Sequence, residues 1–81
     1  MDKLDKLIIL EKYVNDLEYY YDQIKLLYKF LNIDDKNLRK GLKETLIITK
    51  DKIKNLKKCK TLEDFDKYVN VDKIIKDMRR D

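Results

Sequence analysis

The chain has 81 residues and a formal net charge of +4, with 44% charged and 43% hydrophobic residues. This hydrophobic share argues against intrinsic disorder, and the lack of proline, with a single glycine, favours an all-α fold in one small domain. Histidine and serine are absent and Cys59 is the one cysteine, which excludes the usual catalytic triads and Cys/His metal sites. We therefore expect no enzyme activity and no cofactor.

The first predicted element is a long helix over residues 2–31. Tyr13, Tyr20 and Leu27 widen its apolar face to three positions in seven, which is typical of a helix packed in a bundle. We expect this whole face to point inward. Its main seam has alternating spacings of three and four, as the a and d positions of a heptad do: Leu7, Leu10, Val14, Leu17, Tyr21, Ile24, Tyr28 and Leu31.

A second helix is predicted over residues 35–60, where Asp34 or Asp35 can accept hydrogen bonds from its first free N–H groups. The linker is short, so the two helices should form an antiparallel hairpin. Gly41 lies inside this helix, where glycine costs about 1 kcal/mol relative to alanine, and close packing is expected there. The apolar seam of the second helix is narrower: Leu38, Leu42, Leu46, Thr49, Ile53 and Leu56.

The C-terminal segment opens with TLED (61–64), which has the form of a capping box with Asp64 in place of the preferred Glu. One or two short helices are predicted, over residues 62–69 and 71–79, because the apolar phase changes between them and Asn70 or Asp72 can cap the second. We expect this segment to pack on the hairpin as in a three-helix bundle.

Basic residues are concentrated in the second helix. Residues 36–60 contain nine lysines and one arginine against Glu44 and Asp51, a net charge of +8. At about 100° per residue, most of them share one sector of the helix. This basic stripe could be a solvated face, a nucleic-acid site or the dock of an acidic protein, although few arginines and no interleaved aromatic residues disfavour nucleic acid. Its members are Lys36, Arg39, Lys40, Lys43, Lys50, Lys54, Lys57 and Lys58.

Part of the basic stripe has a predicted role inside the hairpin. Lys50 and Lys57 occupy the e position of the second helix, and Glu11 and Glu18 occupy the e position of the first. These flanks face each other in an antiparallel hairpin, so we expect the ion pairs Glu18–Lys50 and Glu11–Lys57. Lys36 and Lys43 occupy the same e position, so four basic residues of the stripe remain outward: Arg39, Lys40, Lys54 and Lys58.

Several large apolar residues do not fit the inward faces. Tyr19, Leu26 and Phe30 form a second row on the outer side of the first helix, and Ile47 and Ile48 lie off the seam of the second. Exposed apolar and aromatic patches tend to mark protein interfaces, so we expect a protein partner or a homodimer to bind here. The alternative is that the C-terminal segment covers the row.

These features predict a non-catalytic protein-interaction module in the cytoplasm. A small phage or mobile-element inhibitor of a host machine, such as an anti-CRISPR protein, is the narrower hypothesis. The alternative is a small nucleic-acid-binding protein that uses the basic face of the second helix. No membrane partner is expected, since LIIL (7–10) is too short to cross a bilayer, and no small-molecule substrate.

Overall fold

The computed structural model describes residues 2–30 and 34–79 and is 84% helical. Within those ranges it has no strand and four helices, which confirms the all-α prediction and shows that the C-terminal segment forms two helices. Leu31, in the predicted seam, lies outside the described residues. The helices are α1 (Lys3–Phe30), α2 (Lys36–Lys57), α3 (Leu62–Asp66) and α4 (Val71–Met78).

Side-chain caps start the three later helices where local sequence predicts them. The carboxylate of Asp35 accepts two backbone N–H bonds, at 2.9 and 3.3 Å, at the start of α2. Thr61 and Asp64 accept each other's backbone N–H groups, at 3.1 and 3.2 Å, so the predicted capping box is confirmed. The side chain of Asn70 accepts a backbone N–H at 3.1 Å and opens α4. These bonds satisfy N–H groups that a helix leaves free at its first turn.

Helices α1 and α2 form the antiparallel hairpin. Tyr28 meets Arg39 near the linker, whereas Tyr13 meets Lys52 far from it. The core lies at the end away from the linker, where α3 and α4 pack against α1. Its buried members come from all four helices: Leu10, Val14, Leu56, Phe65, Val71 and Ile75.

Within the described residues, no third helix packs on the half of the hairpin next to the linker. We call residues 19–30 of α1 and 36–48 of α2 the linker-side half. The molecule is accordingly elongated, at 49 × 27 × 16 Å with a radius of gyration of 15.0 Å. A compact chain of this length would have a radius near 12 Å. No helix in the described part of the chain is apolar over a stretch long enough to cross a bilayer.

The expectations for four residues of the linker-side half are wrong. Tyr20 and Leu27 were predicted inward and are exposed, and so is Leu38 of the α2 seam. The reason is the reach of the C-terminal helices: Tyr13, one heptad before Tyr20, is partly buried against the core, but the packing ends before the next turns. Gly41 has nothing within 4 Å of the place where a Cβ would stand, so no close packing occurs there.

Candidate interaction surfaces

The outer row of α1 is open, as one of the two sequence alternatives predicts. Tyr19, Leu26 and Phe30 are exposed, with Phe30 showing 72% of its surface. Helices α3 and α4 pack on the other end of the hairpin and leave this row uncovered. The alternative in which the C-terminal segment covers it is therefore wrong.

The exposed row belongs to a broader uncharged surface, which we call the apolar stripe. At about 100° per residue, six side chains of the linker-side half of α1 fall within about 120° of arc. The charged residues of this part of α1 all fall in a separate sector, which also contains Glu18 just before it: Asp22, Lys25 and Lys29. A shallow groove runs along part of the stripe. The members of the stripe are Tyr19, Tyr20, Gln23, Leu26, Leu27 and Phe30.

The two isoleucines of α2 are exposed but do not form one surface. Ile47 lies among the lysines of the basic stripe, about 100° around the helix from Ile48. Ile48 is on the flank of Lys52, whose ammonium lies 5.5 Å from the centre of the Tyr13 ring. Because Tyr13 and Tyr20 are one heptad apart, Ile48 lies on the same side of the hairpin as the Tyr20 edge of the apolar stripe.

The ion pair across the hairpin differs from both predicted pairs. Lys57 Nζ lies 3.0 Å from Glu18 Oε1, so the pairs Glu18–Lys50 and Glu11–Lys57 are wrong, although the facing of the two e flanks is confirmed. Helical side chains lean towards the N-terminus of their own helix. Lys57 therefore reaches towards the linker and meets Glu18 rather than Glu11. A heptad position predicts where a Cα atom lies and does not account for this lean of the side chain.

Arg39 was predicted to point outward and is instead held against α1. Its guanidinium lies 4.7 Å from the centre of the Tyr28 ring, a cation–π contact. Arg39 and Lys57 are both exposed, and each contacts a side chain of α1. In the described ranges, the other lysines of the basic stripe are exposed and form no ion pair: Lys36, Lys40, Lys43, Lys50, Lys54 and Lys58.

A cleft between α1 and the start of α3 is lined by charged and apolar groups, among them Glu11, Lys60 and Cys59. The Cys59 thiol donates to the backbone carbonyl of Asn55 at 3.4 Å. Burial, together with the negative charge of Asp64, raises the pKa of this thiol above its usual 9.0. A thiol with a raised pKa is a weak nucleophile at neutral pH. Across the described residues, no three acidic or cysteine side chains converge on a point where a metal ion could bind.

Comparison with known proteins gave no relative: no family model, curated protein or solved structure matches this chain. Its function is therefore inferred from its described surfaces, of which the apolar stripe and the basic stripe are the two with a distinct chemistry.

Proposed function

We propose that this chain is a non-catalytic protein-interaction module that binds a protein, either a larger partner or a second copy of itself, through the linker-side half of the hairpin. The observation that carries the proposal is the apolar stripe, whose large side chains are exposed on a well-formed helix. This surface has the aromatic and aliphatic composition that is enriched at protein interfaces.

The size of the stripe is near the lower limit for a specific protein interface. Two tyrosines, two leucines and one phenylalanine that are roughly half to three-quarters exposed offer on the order of 500 Å². Monomeric proteins rarely expose larger continuous apolar patches without a function. At about 25 cal/mol per Å², covering this area yields roughly 12 kcal/mol before other costs. That gain is comparable with the roughly 4–15 kcal/mol that association costs in lost freedom.

The position of the stripe also supports the proposal. The core, with Leu10 and Leu56 fully buried, holds the hairpin together at one end. At the other end, two helices of about a dozen residues extend beyond the core, and isolated helices of this length are marginal in water. A partner that covers the stripe would supply the packing that the described chain lacks there, and its binding would stabilise the folded state by mass action.

Photo-crosslinking in the native host tests this function. A photoreactive phenylalanine analogue at Phe30 should form covalent adducts with a protein, because that side chain lies within the stripe. The matched control is the same analogue at Leu4, which is similarly exposed at the opposite end of α1. Adducts from Phe30 well above those from Leu4 support the proposal. Equal yields, or no adducts from Phe30, contradict it.

A second candidate function is binding of a polyanion such as nucleic acid by the basic stripe. The observation that favours it is that six of its lysines are exposed without an ion-pair partner in the described ranges. From Lys36 to Lys58 they extend over about 33 Å of helix. This length is close to one turn of B-form DNA, and lysines along one face can follow phosphates without reading sequence.

Two charge-matched triple variants test this candidate. Replacing three lysines of the basic stripe by glutamate should weaken DNA binding at low salt and reduce the salt dependence of that binding. The same number of substitutions in the C-terminal segment, with an equal change in net charge, should have a smaller effect. Equal effects, or no mobility shift of the unmodified chain, contradict the candidate. The variants are Lys40→Glu, Lys54→Glu and Lys58→Glu, against Lys67→Glu, Lys73→Glu and Lys76→Glu.

A further inference from the structure

We infer that the apolar stripe is the interface of a homodimer, in which α1 of one copy packs antiparallel against α1 of a second copy. This inference rests on the proposed function and specifies its partner. It follows from the spacing, area and charge of the stripe and from the position of α4.

The spacing is that of a second helix-packing seam. Tyr20, Gln23, Leu27 and Phe30 follow intervals of three, four and three, the a and d pattern of helices that pack side by side. This seam is distinct from the one that faces α2, whose members in this part of the helix include Tyr21 and Ile24. Helix α1 thus presents two seams in its linker-side half, and the described chain supplies a partner helix for one of them.

A two-fold axis near residue 25 matches the stripe to itself. Residues whose numbers add up to about 50 then oppose each other, which places Tyr20 against the partner subunit's Phe30 and Gln23 against the partner subunit's Leu27. Each contact recurs in reverse, as two-fold symmetry requires.

The position of α4 selects the antiparallel orientation. This helix packs on α1, and Ile9 and Tyr13, on the flank that continues to Tyr20, are partly buried against the core. In a parallel dimer the C-terminal helices of both copies would lie at the same end, in the space that the second α1 has to occupy. The antiparallel arrangement puts them at opposite ends, because each core lies beyond the tip of the other hairpin.

The area and the charge are those of a self-associating surface. Two stripes of about 500 Å² each bury about 1,000 Å², which is the lower limit for a specific interface and predicts a dimer of moderate affinity. The stripe carries no charge with which to select a charged partner. The basic stripe lies on α2. The ion pair Lys57–Glu18 shows which flank of the hairpin its lysines occupy. A dimer that pairs through α1 therefore does not bring the basic stripes of the two copies together.

Sedimentation equilibrium of the full chain tests the dimer. The weight-average mass should rise from 9.9 kDa towards twice that value as the concentration increases to the millimolar range. Leu27→Lys should abolish the rise, whereas Ile47→Lys, an equally apolar and exposed position outside the stripe, should not. Both variants should keep their helical circular dichroism, since neither side chain is buried. A monomer at all concentrations, or equal behaviour of the two variants, overturns the inference.

Disulfide trapping tests the orientation. In a Cys59→Ser background, Tyr20→Cys and Phe30→Cys are made singly and then mixed. Antiparallel pairing predicts the mixed disulfide between position 20 of one copy and position 30 of the other. The two copies of position 20 lie about 15 Å apart along the axis. A disulfide spans at most about 7 Å between Cα atoms, so it cannot join them. Preferred formation of the two symmetric disulfides overturns the antiparallel arrangement.

The same measurements separate this inference from the proposed function. An adduct from Phe30 with twice the chain mass supports both. An adduct with a different protein, together with a monomer in sedimentation, overturns the dimer and leaves the interaction module standing. The absence of any adduct from a chain that dimerises only at high concentration contradicts the proposed function in the host.

Discussion

Lys57 and Glu18 form an ion pair of 3.0 Å across the hairpin, although heptad positions pair each of them with a different residue. Both side chains are partly exposed, at 58% for the lysine and 38% for the glutamate. Exposed pairs of this kind are typically worth less than about 1 kcal/mol. The pair therefore reports the register of α1 against α2 rather than holding the hairpin together.

A double-mutant cycle should detect this register. Glu18→Gln and Lys57→Gln should show a coupling of a few tenths of a kcal/mol in urea denaturation, and it should decrease with added salt because the groups are solvated. The control cycle, Glu11→Gln with Lys57→Gln, should show none. A larger coupling in the control would mean that the helices are shifted along each other relative to the arrangement described above.

Leu56→Ala should destabilise the chain by about 2–5 kcal/mol, because Leu56 is 1% exposed at the centre of the core and alanine would leave a cavity. The measurement is the free energy of unfolding from urea denaturation followed by circular dichroism. Ile48→Ala removes an exposed aliphatic side chain from the same helix and should change stability by at most about 0.5 kcal/mol. Similar losses for the two variants would contradict the placement of the core.

Gly41→Ala should stabilise the monomer by about 1 kcal/mol. The added Cβ meets nothing within 4 Å, the backbone is helical with no positive φ, and alanine loses less conformational entropy than glycine on folding. Thermal or urea denaturation at low protein concentration measures the effect. Lys43→Ala, an exposed position on the same helix, should be close to neutral. Destabilisation by Gly41→Ala would show that α2 has a close neighbour at this point.

Acidification should weaken the cap of α3. The backbone N–H groups of Lys60 and Thr61 donate to the Asp64 carboxylate and hold its pKa below the usual 3.8. A carboxyl group whose pKa is lower in the folded state stabilises that state above its unfolded pKa, and the contribution is lost as pH falls through the folded value. The contribution of Asp64 should therefore be complete at neutral pH and disappear below about pH 4.

The free energy of unfolding of the natural chain and of Asp64→Asn, compared from neutral pH to below about pH 4, isolates the contribution of the Asp64 charge. The other carboxyl groups are common to both proteins, so the stability difference between them should shrink as pH falls. A difference that stays constant with pH would show that the charge of Asp64 contributes nothing to the cap. Thr61→Ala, which removes the other half of the capping box, should cost about 1 kcal/mol at neutral pH.

The local features of this protein follow from short stretches of its sequence. The helices, the inward seam of α1, the cap at Asp35 and the box at Thr61 depend on residues within a turn or two of each other, so periodicity and short motifs are enough to predict them. The outer row with Phe30 is predicted for the same reason, since it shares one face of one helix.

Packing between distant parts of the chain sets how far the C-terminal helices reach along the hairpin, and with it which apolar residues remain exposed. Tyr13 and Tyr20 occupy equivalent heptad positions, yet the first is partly buried and the second is exposed, because α4 packs beside one and not the other. The partners of Lys57 and Arg39 were likewise set by the lean and reach of long side chains between helices. Such contacts join residues far apart in sequence, and a heptad pattern carries no information on where along a helix its neighbour ends.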